Sequence, residues 1–205
     1  MSTQAEIYDD ISSEGAFVEF ARRFGQLVPL DNGSFVKKLR VSTSENARKN
    51  SLSEIFGTGA FPFHTDTAFW TRPARLVLLR AVGGNLHRPT LLRPFASVLD
   101  EVGLRRVRQS SWICSTGRRK NYTTMYFEHD QLGGMRYDPN CMTPANNAAR
   151  EVDKILRVQS FNIKGGTIDW VPNRVAVIPN WDFLHARDIS EIDDSSRLIE
   201  RIYIY

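Results

Sequence analysis

Of the four histidines in this 205-residue chain, two stand where metal chemistry would need them. His64 and Asp66 form a His-x-Asp pair within Phe63-His64-Thr65-Asp66-Thr67. On an extended chain, residues i and i+2 face the same side, so an imidazole nitrogen and a carboxylate oxygen can converge on one ion. A third ligand from a distant strand would complete a face of two histidines and one carboxylate. That face leaves three positions open and is typical of non-haem Fe(II) oxygenases. His185 is the candidate, in Ile178-Pro179-Asn180-Trp181-Asp182-Phe183-Leu184-His185-Ala186-Arg187, just beyond an apolar run. A His-x-Asp tripeptide alone carries little weight, because such histidines are often packed or surface residues. Its company carries more. Downstream, Arg197 and Arg201 differ by four positions, so on a strand they share a face with Ile199 and Tyr203. His87 and His129 read as ordinary surface or interface histidines.

Ligands so far apart need strands to bring them together. Ser13 is placed to cap a helix through about residue 23, with Phe17, Phe20, Ala21 and Phe24 at helical spacing. Residues 35–41 read as a strand, and the polar stretch 42–53 as a loop. Residues 76–82 are apolar apart from Arg80 and suit a buried strand; 95–107 look helical. Residues 110–115 and 122–128, rich in β-branched and aromatic side chains, read as strands. Thr143-Pro144 reads as a helix start, running to about residue 156. Strands are expected again at 158–163, 174–178 and 198–205. The chain is therefore expected to be mainly β with flanking helices (α+β), a sandwich or barrel with helices outside. No Gly-rich phosphate loop follows any strand, which argues against a nucleotide-binding α/β fold.

Length suits one domain, read as residues 13–205, with residues 1–12 as a flexible N-terminus. Apolar residues make up 41% and charged residues 24%, which is ordinary for a globular chain. The apolar runs are too short to span a bilayer, so no membrane role is expected. The polar, acidic N-terminus lacks the basic-then-apolar order of a secretory signal. Cys114 and Cys141 do not make a disulfide framework, so reduced thiols and a cytoplasmic location are expected. The net charge is +4, with an excess in Arg105, Arg106, Arg108, Arg118, Arg119 and Lys120. Such a cluster can track phosphates. A solvated helix end and loop is the plainer reading, so a nucleic-acid partner is not expected.

The sequence resembles the taurine dioxygenase and clavaminate synthase-like family of Fe(II)/2-oxoglutarate oxygenases over about three quarters of its length, from residue 51 onward. The matching pieces are Phe61-Pro62-Phe63-His64-Thr65-Asp66, Pro73-Ala74-Arg75-Leu76-Val77-Leu78-Leu79 and Pro89-Thr90-Leu91-Leu92, then Met135-Arg136-Tyr137-Asp138, Trp181-Asp182 with Leu184-His185-Ala186-Arg187, and Arg197-Leu198-Ile199-Glu200-Arg201. The resemblance implies a double-stranded β-helix (jelly-roll) core, with His64 and Asp66 at the start of one core strand and His185 on a late one. It implies Fe(II) held by those three residues, and 2-oxoglutarate and O₂ as co-substrates with succinate and CO₂ as co-products. Thr90 and Arg197 would hold the distal carboxylate of the keto acid. Arg201 would point into the same cavity, toward the co-substrate's other end or an anionic group on the substrate. Arg136 and Asp138 lie where relatives place substrate-binding groups, and Trp70 and Phe69 would line the pocket.

Some features depart from the family pattern. The chain is short, and only the segments 83–90 and 42–59 offer themselves as a lid. That suits an open site, a large substrate, or a lid supplied by a partner subunit in a homodimer. The Gly-Asp turn usual before the distal strand is replaced by Trp170-Val171-Pro172-Asn173. Because Asp66 is present, hydroxylation of a small molecule, such as an amino acid or secondary metabolite, is expected ahead of halogenation. Two other readings stay open: an oxygenase acting on nucleic acid or protein, and a non-catalytic jelly-roll binding module.

Overall fold

The computed structural model describes residues 4–46, 52–117, 119–157, 165–188 and 195–205. The chain begins with β1 (Glu6–Tyr8), α1 (Glu14–Arg22), β2 (Lys37–Arg40), α2 (Leu52–Phe56), β3 (Phe61–His64) and β4 (Leu76–Gly83). It continues with β5 (Thr90–Pro94), α3 (Phe95–Val102), α4 (Leu104–Gln109), β6 (Ser111–Thr116), β7 (Arg119–Thr124), β8 (Tyr126–His129) and β9 (Leu132–Met135). Then follow β10 (Met142–Pro144), α5 (Asn147–Arg157), β11 (Thr167–Ile168), β12 (Val175–Pro179), β13 (Phe183–Arg187) and β14 (Leu198–Ile204).

Two antiparallel sheets make the core. One has the order β1-β12-β4-β14-β2, the other β11-β5-β13-β3. Their inner faces share one apolar cluster, with Val77, Leu79, Ala81, Ile178 and Ile199 from the first sheet and Leu92 and Ile168 from the second. This is the mainly β, jelly-roll arrangement expected from the sequence. β4 reads as an unbroken apolar run because both of its faces are covered. Val77, Leu79 and Ala81 face the other sheet. Leu78 faces outward, where Phe17, Phe20 and Ala21 of α1 pack on it and on Val177 and Ile202. Outside the second sheet, Phe95 and Val98 of α3 and Val152 and Leu156 of α5 pack against Phe63, Leu184 and Ala186.

The single charge in the β4 run has a partner. The Arg80 guanidinium donates to Glu200 Oε2 at 2.7 and 3.1 Å, and to the Ile11 carbonyl at 3.0 Å. Both side chains are buried, so removing either alone would strand a charge at a cost of about 3–5 kcal/mol.

Several elements differ from the sequence reading. Residues 1–12 do not form a wholly flexible tail: Glu6–Tyr8 pairs with β12, and Tyr8 packs its ring 4.9 Å from that of Phe20. A short polar edge strand lacks the alternation that marks buried strands, so it was hidden. The helix expected over 95–107 breaks at Gly103, which takes φ +78. The strand expected over 122–128 changes partner at Met125: β7 pairs back to β6, and β8 pairs on to β9. Thr143-Pro144 is not a helix start but the end of β10, an edge strand on which a missing N–H costs nothing. Asn146 instead caps α5, its Oδ1 accepting from Ala149 N at 2.9 Å. Within the expected loop 42–53, Ser44–Asn46 forms one 3-10 turn and α2 begins at Leu52. The strand expected at 158–163 lies outside the described residues, as does Arg118.

Two members of the basic cluster are paired. Arg106 pairs with Glu151, and Arg108 donates to Tyr126 Oη at 3.1 Å beside Glu128. Cys114 and Cys141 are free thiols whose sulfurs lie 3.9 Å apart. No helix among the described residues is long and apolar enough to cross a membrane.

Candidate metal centre

β3 and β13 are hydrogen-bonded neighbours, and their register sets His185 directly opposite His64. Cross-strand partners point to the same face, so both imidazoles enter the space between the sheets. Their ring centroids are 4.4 Å apart. His64 is the last residue of β3, not its first as expected; the chain then turns, and Asp66 lies on that turn. Asp66 Oδ2 comes within 3.8 Å of His185 Nε2. One ligand atom from each of His64, Asp66 and His185 lies within 4.8 Å of the others, and all three residues are buried.

Each ligand is held in a usable state. His64 Nδ1 lies 2.9 Å from the Pro62 carbonyl, which can only accept, so Nδ1 carries the proton and Nε2 keeps its lone pair. Burial, reinforced by the neighbouring His64, pushes His185 down to about 3, so its ring is neutral at ordinary pH. Burial opposes ionisation of Asp66, but the charge of Arg201, with a hydrogen bond from the Tyr203 hydroxyl, outweighs it and holds the carboxyl below the usual range. Arg201 Nη1 donates to both Asp66 oxygens at 3.0 Å. It reaches them from the inner face of β14, between Ile199 and Tyr203, as the spacing of the two arginines suggested.

The Asp66 backbone is held by a residue that sequence reasoning quoted but gave no role. Asn180, fully buried, accepts from Asp66 N at 2.9 Å and donates to the Asp66 carbonyl at 3.0 Å and the Ala74 carbonyl at 2.8 Å. Next to it, Thr67 takes φ +58, a rare conformation for a β-branched residue. Thr67 Oγ1 accepts from Ala74 N at 2.8 Å and donates to the Asp66 carbonyl at 2.6 Å, and these bonds fix the turn. Asn180→Ala would strip the Asp66 N–H and the Ala74 carbonyl of the side-chain partner they have here, while the Asp66 carbonyl keeps its bond from Thr67. We expect it to lower the unfolding free energy by about 2 kcal/mol or more, at roughly 1–3 kcal/mol per stranded group. Denaturant unfolding checks this.

A second expectation concerns pH. The folded value for His185, about 3, lies below the ordinary value of 6.5, so the unfolded chain takes up that proton first. Its contribution to stability is fully present above about pH 6.5 and is lost as pH falls toward about 3. Denaturation midpoints of the metal-free protein should fall between about pH 7 and about pH 5, and His185→Gln should flatten that slope.

The other residues singled out from the sequence divide into two groups. Thr90 heads β5 and pairs in register with Ile168 and Arg187; it is buried and accepts a hydrogen bond from Trp170 Nε1 at 3.1 Å. Arg197 stands half-buried just before β14. Trp70 packs edge-on against Tyr203, with ring centroids 5.6 Å apart, and the carboxyl of Asp138, near Asp66, is pushed up by burial. Two residues are placed otherwise than a substrate-binding role would suggest. Arg136 donates to the Ala68, Trp70 and Thr71 carbonyls at 2.7–3.3 Å, bracing the turn after Asp66. Phe69 is half-exposed on that turn.

Of the lid candidates, the turn at 57–59 is strapped down: its carbonyls accept from Arg187 and Arg88. The turn replacing Gly-Asp places Asn173 at φ +69, a conformation that Asn tolerates better than most side chains.

No protein-family model matches the chain, and no curated protein matches it by sequence. Solved structures do match its fold. Asparagine oxygenase, in complex with Fe(II), 2S,3S-3-hydroxyasparagine and succinate, superposes with a TM-score of 0.74 at 17% identity, over 94% of this chain and 65% of that one. The non-haem iron oxygenase OrfP, in complex with Fe and alpha-ketoglutaric acid, gives 0.68 at 16% identity, over 93% and 63%. PvcB from Pseudomonas aeruginosa gives 0.69 at 13% identity, over 98% and 75%. The chain thus spans somewhat less than two thirds of the asparagine oxygenase and OrfP chains, and at these identities the likeness establishes the shared jelly-roll fold.

Proposed function

We propose that this protein is an Fe(II)- and 2-oxoglutarate-dependent oxygenase that hydroxylates an unactivated C–H bond of a small molecule of amino-acid type. The observation that carries the reading is the buried His64, Asp66 and His185 triad, with its ligand atoms within 4.8 Å of one another. Two imidazole nitrogens and one carboxylate on a single face match non-haem Fe(II). Charge balance supports the reading as well. Asp66 and Arg201 cancel, and a ferrous ion would cancel a dianionic keto acid, so binding the two together would not change the net charge the chain already carries there. The amino-acid class is suggested by the asparagine oxygenase and OrfP structures, which hold 3-hydroxyasparagine and hydroxylated arginine.

Bound Fe(II) would supply the position at which O₂ is reduced as the keto acid is oxidised to succinate and CO₂. The chain supplies the rest. His185 offers a lone pair without first losing a proton, and His64 has Nε2 left for a metal because Nδ1 is bonded to the Pro62 carbonyl. Arg201 holds the Asp66 carboxylate ionised. Thr90 and Arg197 are assigned to the distal carboxylate, a hydroxyl and a guanidinium suited to that anion. They belong to one end of the barrel: Ile199 pairs with Ala81, Ala81 bonds the 173–174 turn, and Trp170 leads from that turn to Thr90. Leu92, the register partner of His185, and Ile178 belong to the buried apolar cluster between the sheets, a lining suited to keeping water out and presenting one C–H bond. Trp70 and Asp138 flank the centre as substrate-facing groups.

The test is succinate formation from 2-oxoglutarate under O₂ with Fe(II), screened over the free amino acids. Stimulation by a substrate, and its loss in His64→Ala, would support the reading. Arg197→Ala should raise the KM for 2-oxoglutarate by at least about tenfold, as expected for a lost charged hydrogen bond. Failure to bind Fe(II), or to turn over 2-oxoglutarate with any substrate, would favour a non-catalytic jelly-roll module.

A further inference from the structure

Trp170 is buried in the inter-sheet cluster, yet it carries the one polar atom an indole has. That Nε1–H donates to Thr90 Oγ1 at 3.1 Å. A hydroxyl has one hydrogen and two lone pairs. With one lone pair taken by the indole, Thr90 is turned toward acting as a donor, and its hydrogen is left for an acceptor inside the barrel. β5 presents Thr90 and Leu92 to the interior, and Leu92 is the register partner of His185. Thr90 therefore lies two strand positions from the row that carries the metal ligands, on the same face.

We propose that Trp170 is a positioning residue for the dicarboxylate co-substrate: by donating to Thr90 it fixes that hydroxyl as a donor to the distal carboxylate, and so selects keto acids that carry one. This rests on the functional reading above. Trp170 itself touches neither metal nor keto acid. Its effect is confined to the far end of the ligand, whereas Arg201 and the triad act at the near end.

The experiment measures anaerobic binding of two keto acids to the Fe(II)-loaded protein, read from the visible charge-transfer band of the chelate. One is 2-oxoglutarate; the other is 2-oxobutyrate, which lacks the distal carboxylate. Trp170→Phe keeps an aromatic ring and removes the N–H; Thr90→Val keeps the shape and removes the hydroxyl. Each should weaken 2-oxoglutarate roughly fivefold, the factor that about one neutral hydrogen bond is worth, and leave 2-oxobutyrate unchanged. The double variant should be no weaker than either single one. Equal weakening of both keto acids would mark Trp170 as packing only and overturn the proposal, as would parental 2-oxoglutarate binding in Trp170→Phe. Indole N–H resonances of the Zn(II)-loaded parent give a second readout should that variant fail to fold. The resonance displaced in Thr90→Val should move with 2-oxoglutarate and not with 2-oxobutyrate; no difference between the two would overturn the proposal. If the parent itself binds neither keto acid, the functional reading fails instead.

Discussion

Asp66→Asn and His64→Ala should each lower Fe(II) affinity by more than the roughly 10–100-fold that loss of an outer-shell partner costs, because each removes a direct ligand. Asp66→Asn matters most. It keeps the shape of the turn and the backbone bonds to Asn180, and removes only the charge. His185→Ala should behave like His64→Ala, since the register sets the two residues directly opposite each other. Anaerobic calorimetric titration with Fe(II), or with Co(II) as a more stable stand-in, measures the effect. Parental affinity in Asp66→Asn would mean that metal, if it binds, binds elsewhere.

Arg201→Met should behave in the opposite way. In the metal-free protein Arg201 is the counter-charge of a buried carboxylate. Its removal strands Asp66 and should lower stability at pH 7 by about 3–5 kcal/mol. A divalent metal replaces the missing charge, so the variant should regain stability on metal addition by more than the parent does. Its metal affinity should not fall below the parent's, because Arg201 no longer competes for the carboxylate. Thermal melts with and without metal separate this from Asp66→Asn, in which the metal effect disappears. A variant as stable as the parent would show that the ion pair contributes nothing.

The triad was legible in the sequence because metal ligands come from a short list of residue types, and His-x-Asp followed by a distant His meets that list. β4 and β12 were legible too, because burial on both faces leaves apolar runs, and β14 because its β-branched and aromatic residues flank the Glu200-Arg201 pair. What surrounds the triad was much less so. The bond from Arg201 to Asp66 joins two sheets, and no local pattern records which inward side chain of one meets which of the other. Asn180 looked like one more turn residue, because its role is to bond the backbone of residues more than a hundred positions earlier. Arg136 was expected among the substrate-binding groups, but its donors are taken up by carbonyls of the 68–71 turn. Thr143-Pro144 misled for a related reason: the pair that opens a helix also fits the edge of a sheet, and only the pairing partner decides.

The most direct measurement is an anaerobic titration of the Fe(II)-loaded protein with 2-oxoglutarate, followed in visible light. One equivalent of keto acid should produce a weak charge-transfer band that is absent without iron and absent in Asp66→Asn. No band in a folded, iron-loaded protein would contradict the reading of His64, Asp66 and His185 as a ferrous centre with room for a chelating keto acid.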